Sequence, residues 1–330
     1  MLKNTAFILL TLIAAASASC RKTSIPQEEA TVGISFSAGV EQTKGLFTPE
    51  NFNTAGNTIE VYDLYTAGTH SSIYIDGADA VCNASGLWTL EKSYYWTYSG
   101  IHSFLSHTSG GGLSGVSVDV DVDGMSVGWN CSLDNQFDLM YASSVRDLDM
   151  EKEEGRNPYR AVELQFNHFF TAVSLHVRNL YTVPGSDIEG FKCYFTGLQT
   201  EGSAGLDFEG NLSGPETSAG ESPQFEVSGM TIPQNVGETN VYSLKGEVGE
   251  DGFFLVWPHG TPQLQGVALH IEYTVNGHRY TKDIPVYEAA TSFNSWESGH
   301  RYSYTLSIQD NTIVFEAEVV EWINDDVILE

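Results

Sequence analysis

Short runs of β-branched and aromatic residues, separated by clusters of Gly, Asn, Asp and Ser, recur along the chain from residue 31 onward. Such runs, with turn residues between them, predict strands. The clearest runs are residues 31–37, 58–65, 72–75, 87–98 and 116–122 in the first half, and 162–177, 191–195, 252–257, 267–275, 302–308 and 312–322 in the second. Helical periodicity is nearly absent, and only residues 135–146 are compatible with a short helical turn. This pattern predicts an all-β chain built of β-sandwiches.

The N-terminus has the organisation of an export signal. Lys3 gives a positive start, the eleven residues 6–16 are apolar except for Thr11, and small residues lead into Cys20. Crossing a hydrocarbon core needs about 20 apolar residues, so this run fits the apolar region of a signal peptide instead. A cysteine directly after the small residues predicts a lipid on Cys20 and a membrane-anchored protein without a transmembrane helix. A plain signal peptide followed by a chance cysteine is the alternative.

The length of 330 residues is sufficient for two domains of ordinary size. Residues 146–159 are the most charged stretch and close on Asn-Pro-Tyr, which favours a turn at a domain boundary. We therefore predict four segments along the chain. They are a lipoprotein signal peptide at residues 1–19, a tether at 20–30, an N-terminal β-sandwich at 31–158 and a C-terminal β-sandwich at 159–330.

The formal net charge is −28, with acidic residues spread along the chain and no long block of one sign. Such a surface is solvated, and it repels nucleic acid and anionic lipid headgroups. We therefore expect no nucleic-acid partner.

Three cysteines remain once Cys20 is assigned to lipid, namely Cys82, Cys131 and Cys193. Their spacings fit no zinc pattern, and a domain of this size does not depend on disulfides for its stability. We interpret them as small buried hydrophobic residues. Whether one pair forms a disulfide is left open by the sequence.

Residues 119–124 match the first half of a calcium-loop pattern through Asp119, Asp121, Asp123 and Gly124. Asn130 stands at the twelfth position, where a glutamate should complete the ligand shell. Valines alternate with these aspartates, which is typical of a half-buried strand with an acidic outer face. The strand is the favoured interpretation, and weak calcium binding is the alternative.

The sequence contains no H-E-x-x-H, no G-x-S-x-G and no glycine-rich phosphate loop after a predicted strand. Paired carboxylates of a glycosidase are set in space, so the sequence leaves them open, but it singles out no pair. We therefore predict a protein that is not an enzyme and has no cofactor.

Residues 94–98 concentrate aromatic rings in the order Tyr-Tyr-Trp-Thr-Tyr. The favoured interpretation is a strand whose alternate rings fill a sandwich core. The alternative is a flat platform on which sugar rings stack.

Several segments, taken in order, resemble the fimbrillin family of Bacteroidales, the subunits of lipoprotein-derived pili. The resemblance is carried by the lipobox cysteine, a first strand at residues 34–37, and the later motifs LW, YYW, DLMYA, VELQFNH, VSLHV, WESGHRYSY and VVEW. It extends over nearly the whole chain. It implies two sandwiches of transthyretin-like topology in tandem, without an active site.

The resemblance also implies a route of assembly. A trypsin-like protease cuts such precursors in the loop after the first strand, and a strand from the neighbouring subunit fills the groove that is left. Lys44 and Gly45 lie where this cut is expected, although the family more often has Arg there. An ordinary exposed lysine is the alternative interpretation of Lys44.

In such pilins the donated strand comes from the C-terminal segment, here residues 313–330. Val327, Ile328 and Leu329 form its apolar end and are a candidate donor strand. The short tail leaves a stalk subunit, a tip or accessory subunit, and a non-polymerising lipoprotein all open.

Two functional hypotheses follow. The first is a fimbrial subunit or adhesin-like lipoprotein of the outer membrane and cell surface. Its partners are other fimbrial subunits, the membrane through the lipid, and a host or bacterial surface receptor. The second is a carbohydrate-binding surface lipoprotein of a glycan uptake system, with residues 94–98 or Trp257 as its platform.

Overall fold

The computed structural model describes residues 32–40, 52–109, 116–134, 136–235, 242–243, 252–290, 292–310 and 312–320. Within these ranges the chain forms twenty strands and three short helices. The strands of the first half are β1 (Ser35–Val40), β2 (Thr58–Ala67), β3 (His70–Cys82), β4 (Leu87–Leu90), β5 (Ile101–Ser109), β6 (Val116–Asp121), β7 (Gly124–Asn130), β8 (Met140–Asp147) and β9 (Val162–His168). Those of the second half are β10 (Thr171–Asn179), β11 (Ile188–Thr196), β12 (Gln199–Leu206), β13 (Leu212–Ala219), β14 (Gln224–Ile232), β15 (Tyr242–Ser243), β16 (Phe254–Val256), β17 (Ala268–Val275), β18 (His278–Pro285), β19 (Arg301–Ile308) and β20 (Ile313–Val320). The helices are α1 (Leu148–Glu153), α2 (Thr261–Gln265) and α3 (Val286–Ala289).

Seven strands of the first half close into a ring in the order β1-β4-β3-β2-β5-β8-β9, because β9 pairs with β1. This last pairing is parallel, whereas β1 and β4 are antiparallel. The ring encloses one hydrophobic cluster that includes Phe36, Trp88, Phe104 and Phe166. Nearly every inward side chain there is fully buried, which favours the folded state because apolar surface leaves water.

The remaining strands form three sheets around a second and larger hydrophobic cluster. Their orders are β15-β10-β19-β20 with β16 also paired to β10, then β14-β11-β17-β18, and finally β13-β12-β7-β6. The last sheet joins strands of both halves of the chain. Trp96 belongs to the first cluster and Tyr94 packs against it, whereas Trp257 lies inside the second.

The predicted all-β class is confirmed, and most predicted runs coincide with strands. Residues 162–177 form two strands, since the chain turns at Phe169 and Phe170 as it passes from the ring to the next sheet. Only Leu87–Leu90 of the predicted strand at 87–98 is extended in a ladder. The transthyretin-like topology stays a prediction.

The helical turn predicted at residues 135–146 is wrong, because residues from Met140 onward form β8. The only helix of this region is α1, which lies in the stretch expected to be a loop. Asp147 caps it by accepting hydrogen bonds from the backbone N–H groups of Asp149 and Met150 at 3.0 and 3.1 Å. This cap and the acidic first turn stabilise a short helix that hydrophobic periodicity does not reveal.

The division into domains at residues 31–158 and 159–330 stays a prediction. The chain passes from one hydrogen-bonded sheet to another after His168, since β9 belongs to the ring and β10 to the next sheet. Among the helices that the structure describes, none has the length and apolar character needed to cross a membrane.

Candidate functional site

β1 fills a slot between two strands of the ring. Residues 35–37 pair with 87–89 of β4 in an antiparallel ladder, and residues 36–40 pair with 162–166 of β9 in a parallel ladder. Both edges of β1 are therefore hydrogen-bonded. Its removal would leave two unpaired strand edges facing one another, each able to accept a new strand.

The inward face of β1 is almost completely buried. Ile34, Phe36 and Val40 are 6%, 0% and 8% exposed, and Ala38 packs against the same cluster. The Phe36 ring meets Phe104 edge to face, with 5.5 Å between ring centroids. The slot therefore has an apolar floor with alternating positions, as expected for a strand that lines a core.

The residues just before β1 hold the aromatic segment 94–98 in place. The backbone N–H of Ile34 donates to the Tyr94 carbonyl at 2.8 Å, and that of Trp96 donates to the Val32 carbonyl at 3.1 Å. Trp96 is 1% exposed and packs edge to face on Phe104, with 5.8 Å between centroids. The position of the aromatic segment thus depends on the residues that lead into β1.

The core interpretation of residues 94–98 is confirmed for Trp96, and Tyr94 is half-buried against the same cluster. Tyr95 and Tyr98 are 38% and 70% exposed, and the segment is not a regular strand. The Lys152 ammonium lies 4.0 Å from the centre of the Tyr98 ring, which places a cation over one face of that ring. The rings therefore do not form one continuous exposed platform.

Trp257 is fully buried, and its indole N–H donates to the Trp129 carbonyl at 3.1 Å. It cannot offer a ring face to a sugar, so the prediction of Trp257 as a platform is wrong. The reason is its place in the core: Phe170 packs on it edge to face with centroids 5.2 Å apart.

A buried pair of a histidine and a carboxyl side chain lies beneath the aromatic segment. His102 Nδ1 is 2.5 Å from Asp63 Oδ2, both side chains are fully buried, and His102 Nε2 is 2.8 Å from Thr97 Oγ1. Burial raises the pKa of the Asp63 carboxyl, while the hydrogen bond with His102 opposes that rise. The Thr97 hydroxyl donates to the Ser99 carbonyl at 2.9 Å, so it accepts from the imidazole. A nucleophile would instead donate to this ring, so the arrangement ties strands together and is not poised for catalysis.

Sequence reasoning misses this pair because Asp63 and His102 are separated by 39 positions and fit no local motif. They come together only because β2 and β5 are neighbours in the ring. The one available signal is that Asp63 falls on the alternate positions that are otherwise occupied by Ile59, Val61 and Tyr65.

The three aspartates of the calcium-like pattern lie on the hairpin formed by β6 and β7. Asp119 and Asp121 occupy exposed positions of β6, in alternation with less exposed valines, so the strand interpretation is confirmed. Asp123 lies in the turn, where its backbone N–H donates to Asp121 Oδ1 at 2.8 Å. In the described ranges, no three His, Cys, Asp or Glu side chains are grouped as metal ligands.

Gly124, which completes this pattern, is required by the backbone geometry of the hairpin. Its φ is +135°, and a Cβ built there would lie 2.2 Å from the Leu206 carbonyl oxygen of β12. Only glycine allows this approach of the two backbones. The motif is thus explained by hairpin geometry, and calcium binding by its aspartates stays a prediction.

The three cysteines are free thiols and are all buried, as predicted. Burial raises the pKa of the Cys131 and Cys193 thiols to about 12. They are therefore protonated and unreactive at neutral pH.

Cys20, Lys44, Gly45, Val327, Ile328 and Leu329 lie outside the described residues, as do the signal peptide and tether at 1–19 and 20–30. Their predicted roles stay predictions. In the sequence β1 lies between Cys20 and Lys44, so the predicted lipid site precedes this strand and the predicted cleavage site follows it.

A family model described as fimbrillin-like matches residues 47–322. A fimbrial protein from Bacteroides vulgatus is similar in structure, with a TM-score of 0.59, 14% identity, and coverage of 87% of this chain and 99% of that one. A cell adhesion protein from Bacteroides ovatus gives a TM-score of 0.53 at 16% identity, covering 89% of this chain and 99% of that one. No curated protein sequence matches the chain.

At such low identities the structural likeness establishes the fold alone. The family model is the stronger finding, since it matches the sequence itself over most of its 330 residues. The chain belongs to the fimbrillin-like family.

Proposed function

We propose that this protein is a non-enzymatic subunit or adhesin of a surface fimbria, built by strand addition between subunits. The precursor is exported, receives a lipid on Cys20 and is carried to the outer membrane and cell surface. Its partners are other fimbrial subunits. A receptor on a host or bacterial surface is the expected target of adhesion.

The observation that carries the proposal is the position of β1 between β4 and β9. Loss of this one strand would uncover an apolar floor and two unpaired edges at the same place. Exposure of the apolar floor to water is unfavourable, and covering it again requires hydrogen-bond partners for the backbone groups of both edges. A strand from a second subunit restores both kinds of contact, which is the physical basis of β-augmentation.

The candidate cleavage site at Lys44 and Gly45 follows the same strand in the sequence. A cut between Lys44 and Gly45 leaves β1 on a fragment that carries the lipid of Cys20, because both precede the cut in the sequence. β1 is then held only by noncovalent contacts. Release of that fragment frees the subunit from the membrane and opens the groove in a single step.

Two stretches near the C-terminus are candidates for the donated strand. One is β20, and the other is the apolar triplet Val327, Ile328 and Leu329. Either belongs to a neighbouring copy in the assembled fimbria.

Limited trypsin treatment of the purified mature protein tests the proposal. We expect a new N-terminus at Gly45, followed by ladders of oligomers whose length increases with protein concentration on native gels. The matched control is Lys44→Gln, which should remain monomeric under the same treatment. A chain that is cut after Lys44 and stays a stable monomer would contradict assembly by strand addition.

The carbohydrate-binding alternative has less support from the exposed surface. Trp96 and Trp257 are buried, and Tyr98 has Lys152 over its ring. A glycan array separates the two roles. Specific binding that Tyr98→Ala abolishes would favour the alternative.

A further inference from the structure

The backbone contacts of β1 are unevenly distributed along the strand. In the described ladders, residues 38–40 pair with β9 alone, whereas residues 36 and 37 pair with both β4 and β9. The residues that lead into the strand, 32–34, form a further bridge with residues 94–96 of the aromatic segment. Backbone pairing therefore increases from the C-terminal end of β1 to its N-terminal end.

The candidate cleavage site lies beyond the more weakly paired end. Lys44 follows β1 in the sequence, so a cut there leaves Val40 close to a new chain end. Strand ends have the lowest local stability, so the pairs of β1 open from this end toward residues 32–34. The bridge between residues 32–34 and the aromatic segment is then the last contact to break. The contacts that position the aromatic segment therefore determine how long a cut β1 stays in the ring.

The aromatic segment is not a regular strand, so side chains position it in the ring. Trp96 is buried in the first cluster. The Tyr74 hydroxyl of β3 donates to the Tyr95 carbonyl at 2.6 Å. The Nε2 atom of His102, on β5, lies 2.8 Å from Thr97 Oγ1. This last contact connects the segment to the buried pair that His102 forms with a carboxyl group of β2.

The hydrogen-bond directions at His102 follow from its neighbours. Thr97 Oγ1 donates to the Ser99 carbonyl, so it accepts from His102, and Nε2 carries a hydrogen. The Nδ1 atom of His102 is 2.5 Å from Asp63 Oδ2. If both of these atoms were deprotonated, neither would have a hydrogen to donate. One proton therefore lies between them, and it fixes the orientation of the imidazole toward Thr97.

Burial makes this orientation costly to change. The side chains of Asp63 and His102 are both fully buried. Asp63 Oδ1 has no hydrogen-bond partner among the described residues, so rotation of the imidazole would leave the whole carboxyl group without one. The imidazole is also packed between rings, with Trp96 and Phe104 at 5.2 and 5.9 Å by centroids. An unpaired polar group in such a place is strongly unfavourable, so His102 is a rigid support for Thr97.

We infer that Asp63, His102 and Thr97 form a latch that sets the rate at which the cut N-terminal strand leaves the ring. Asp63 orients His102, His102 binds Thr97, and the segment that contains Thr97 binds residues 32–34. This inference rests on the proposed function and adds to it the contact that controls opening of the groove. The three side chains are positioning residues, because they act on β1 through the backbone of the aromatic segment.

The experiment uses the full mature chain cut after Lys44. An excess of the peptide of residues 32–40 prevents rebinding, and mass spectrometry follows loss of the original N-terminal fragment. We expect Thr97→Val to speed this loss about tenfold, since valine has the shape of threonine but accepts no hydrogen bond from His102. Thr97→Ser retains the hydroxyl and should release the fragment at close to the wild-type rate.

Ser106→Ala is the matched control for a general loss of stability. Ser106 is a buried residue of β5, the strand of His102, and its hydroxyl donates to the Glu60 carbonyl at 2.8 Å. The substitution removes a buried hydrogen bond from the same strand but leaves the contact with Thr97 intact. We expect release within about twofold of the wild-type rate. Equal acceleration by Ser106→Ala and Thr97→Val would overturn the latch, because release would then follow the stability of the whole ring.

Asp63→Asn tests the shared proton. The asparagine amide has its own N–H to donate to His102 Nδ1, so Nε2 keeps its hydrogen and the bond to Thr97 remains. We expect this variant to release the fragment at close to the wild-type rate. Acceleration as large as that of Thr97→Val would exclude Asp63 and its shared proton from the latch.

Hydrogen exchange tests the direction of release. Cleavage should raise the exchange rates of the amides of residues 38–40 more than those of residues 34–37, because the strand opens from the cut end. The reverse order would overturn the assigned sequence of events.

The same samples separate failure of the latch from failure of the proposed function. If oligomer ladders form but Thr97→Val releases the fragment no faster than Ser106→Ala, the latch alone is wrong. If the fragment stays bound in the wild type and in every variant, and no ladders form, β1 is not displaceable and the proposed function fails with the latch.

Discussion

At the scale of single residues, Phe36 lies at the centre of the groove floor, fully buried and 5.5 Å from the Phe104 ring by centroids. We expect Phe36→Ala to lower the free energy of unfolding by about 3–5 kcal/mol, because it removes a buried ring and leaves a cavity. Urea unfolding followed by fluorescence measures this. Ser35→Ala, on the outward face of the same strand, should change stability by less than about 0.5 kcal/mol. Equal effects of the two substitutions would mean that β1 is not seated as described.

His259 gives a prediction for pH. It is fully buried, with Nδ1 bonded to the Trp257 carbonyl at 2.7 Å and Nε2 accepting from the Gln199 N–H at 2.9 Å. Burial lowers its pKa from 6.5 to about 4, so between these values the unfolded chain binds a proton that the folded chain does not. The stabilisation is present above about pH 6.5 and is lost as the pH falls toward 4, by about 3 kcal/mol in total.

The measurement is urea unfolding of the wild type and of His259→Gln at several pH values. The wild type should lose more stability than the variant between about pH 6.5 and 4, because the variant lacks the titrating group. The carboxylates titrate in both proteins, so their contributions to the loss of stability cancel in the comparison. Identical slopes would show that His259 is not held neutral by the fold.

At the scale of elements, α1 illustrates a short helix that depends on one side chain. Asp147 accepts from two backbone N–H groups, and α1 carries Lys152, whose ammonium lies over Tyr98. We expect Asp147→Ala to destabilise the protein by about 1 kcal/mol, since the first turn loses its acceptor. Thermal unfolding is the measurement. Glu153→Ala, exposed in the same helix, should have little effect, and a comparable loss there would argue against the cap.

The strands themselves could be predicted largely from the sequence, but their partners could not. The alternation through Ile34, Phe36, Ala38 and Val40 predicts a strand with one buried face. Nothing local indicates that β9, more than 120 residues later, lies beside it, since pairing depends on how the ring closes. The exposure of Tyr98 departs from the predicted alternation for the same reason, because the position of this segment depends on its hydrogen bonds with Val32 and Ile34.

At the scale of the whole molecule, attachment to the membrane depends on one position outside the described residues. We expect Cys20→Ser to abolish incorporation of labelled palmitate and to move the protein out of the membrane fraction, because serine offers no thiol for acylation. Cell fractionation with a palmitate label measures both effects. The matched control is Ser19→Ala, which retains a small residue before the cysteine and should leave labelling unchanged. Palmitate on the Cys20→Ser protein would exclude this residue as the lipid site.

The sequence by itself determined the all-β class, the burial of the three cysteines, the acidic outer face of β6 and the family resemblance. Each follows from residue type and spacing along one segment, which fixes which side chains face the core. The tertiary structure decided the closure of the ring through β1 and β9, the buried pair of Asp63 and His102, and the burial of Trp257. These depend on contacts between segments far apart in the chain, where many pairings satisfy the same local pattern and only packing of the whole selects one.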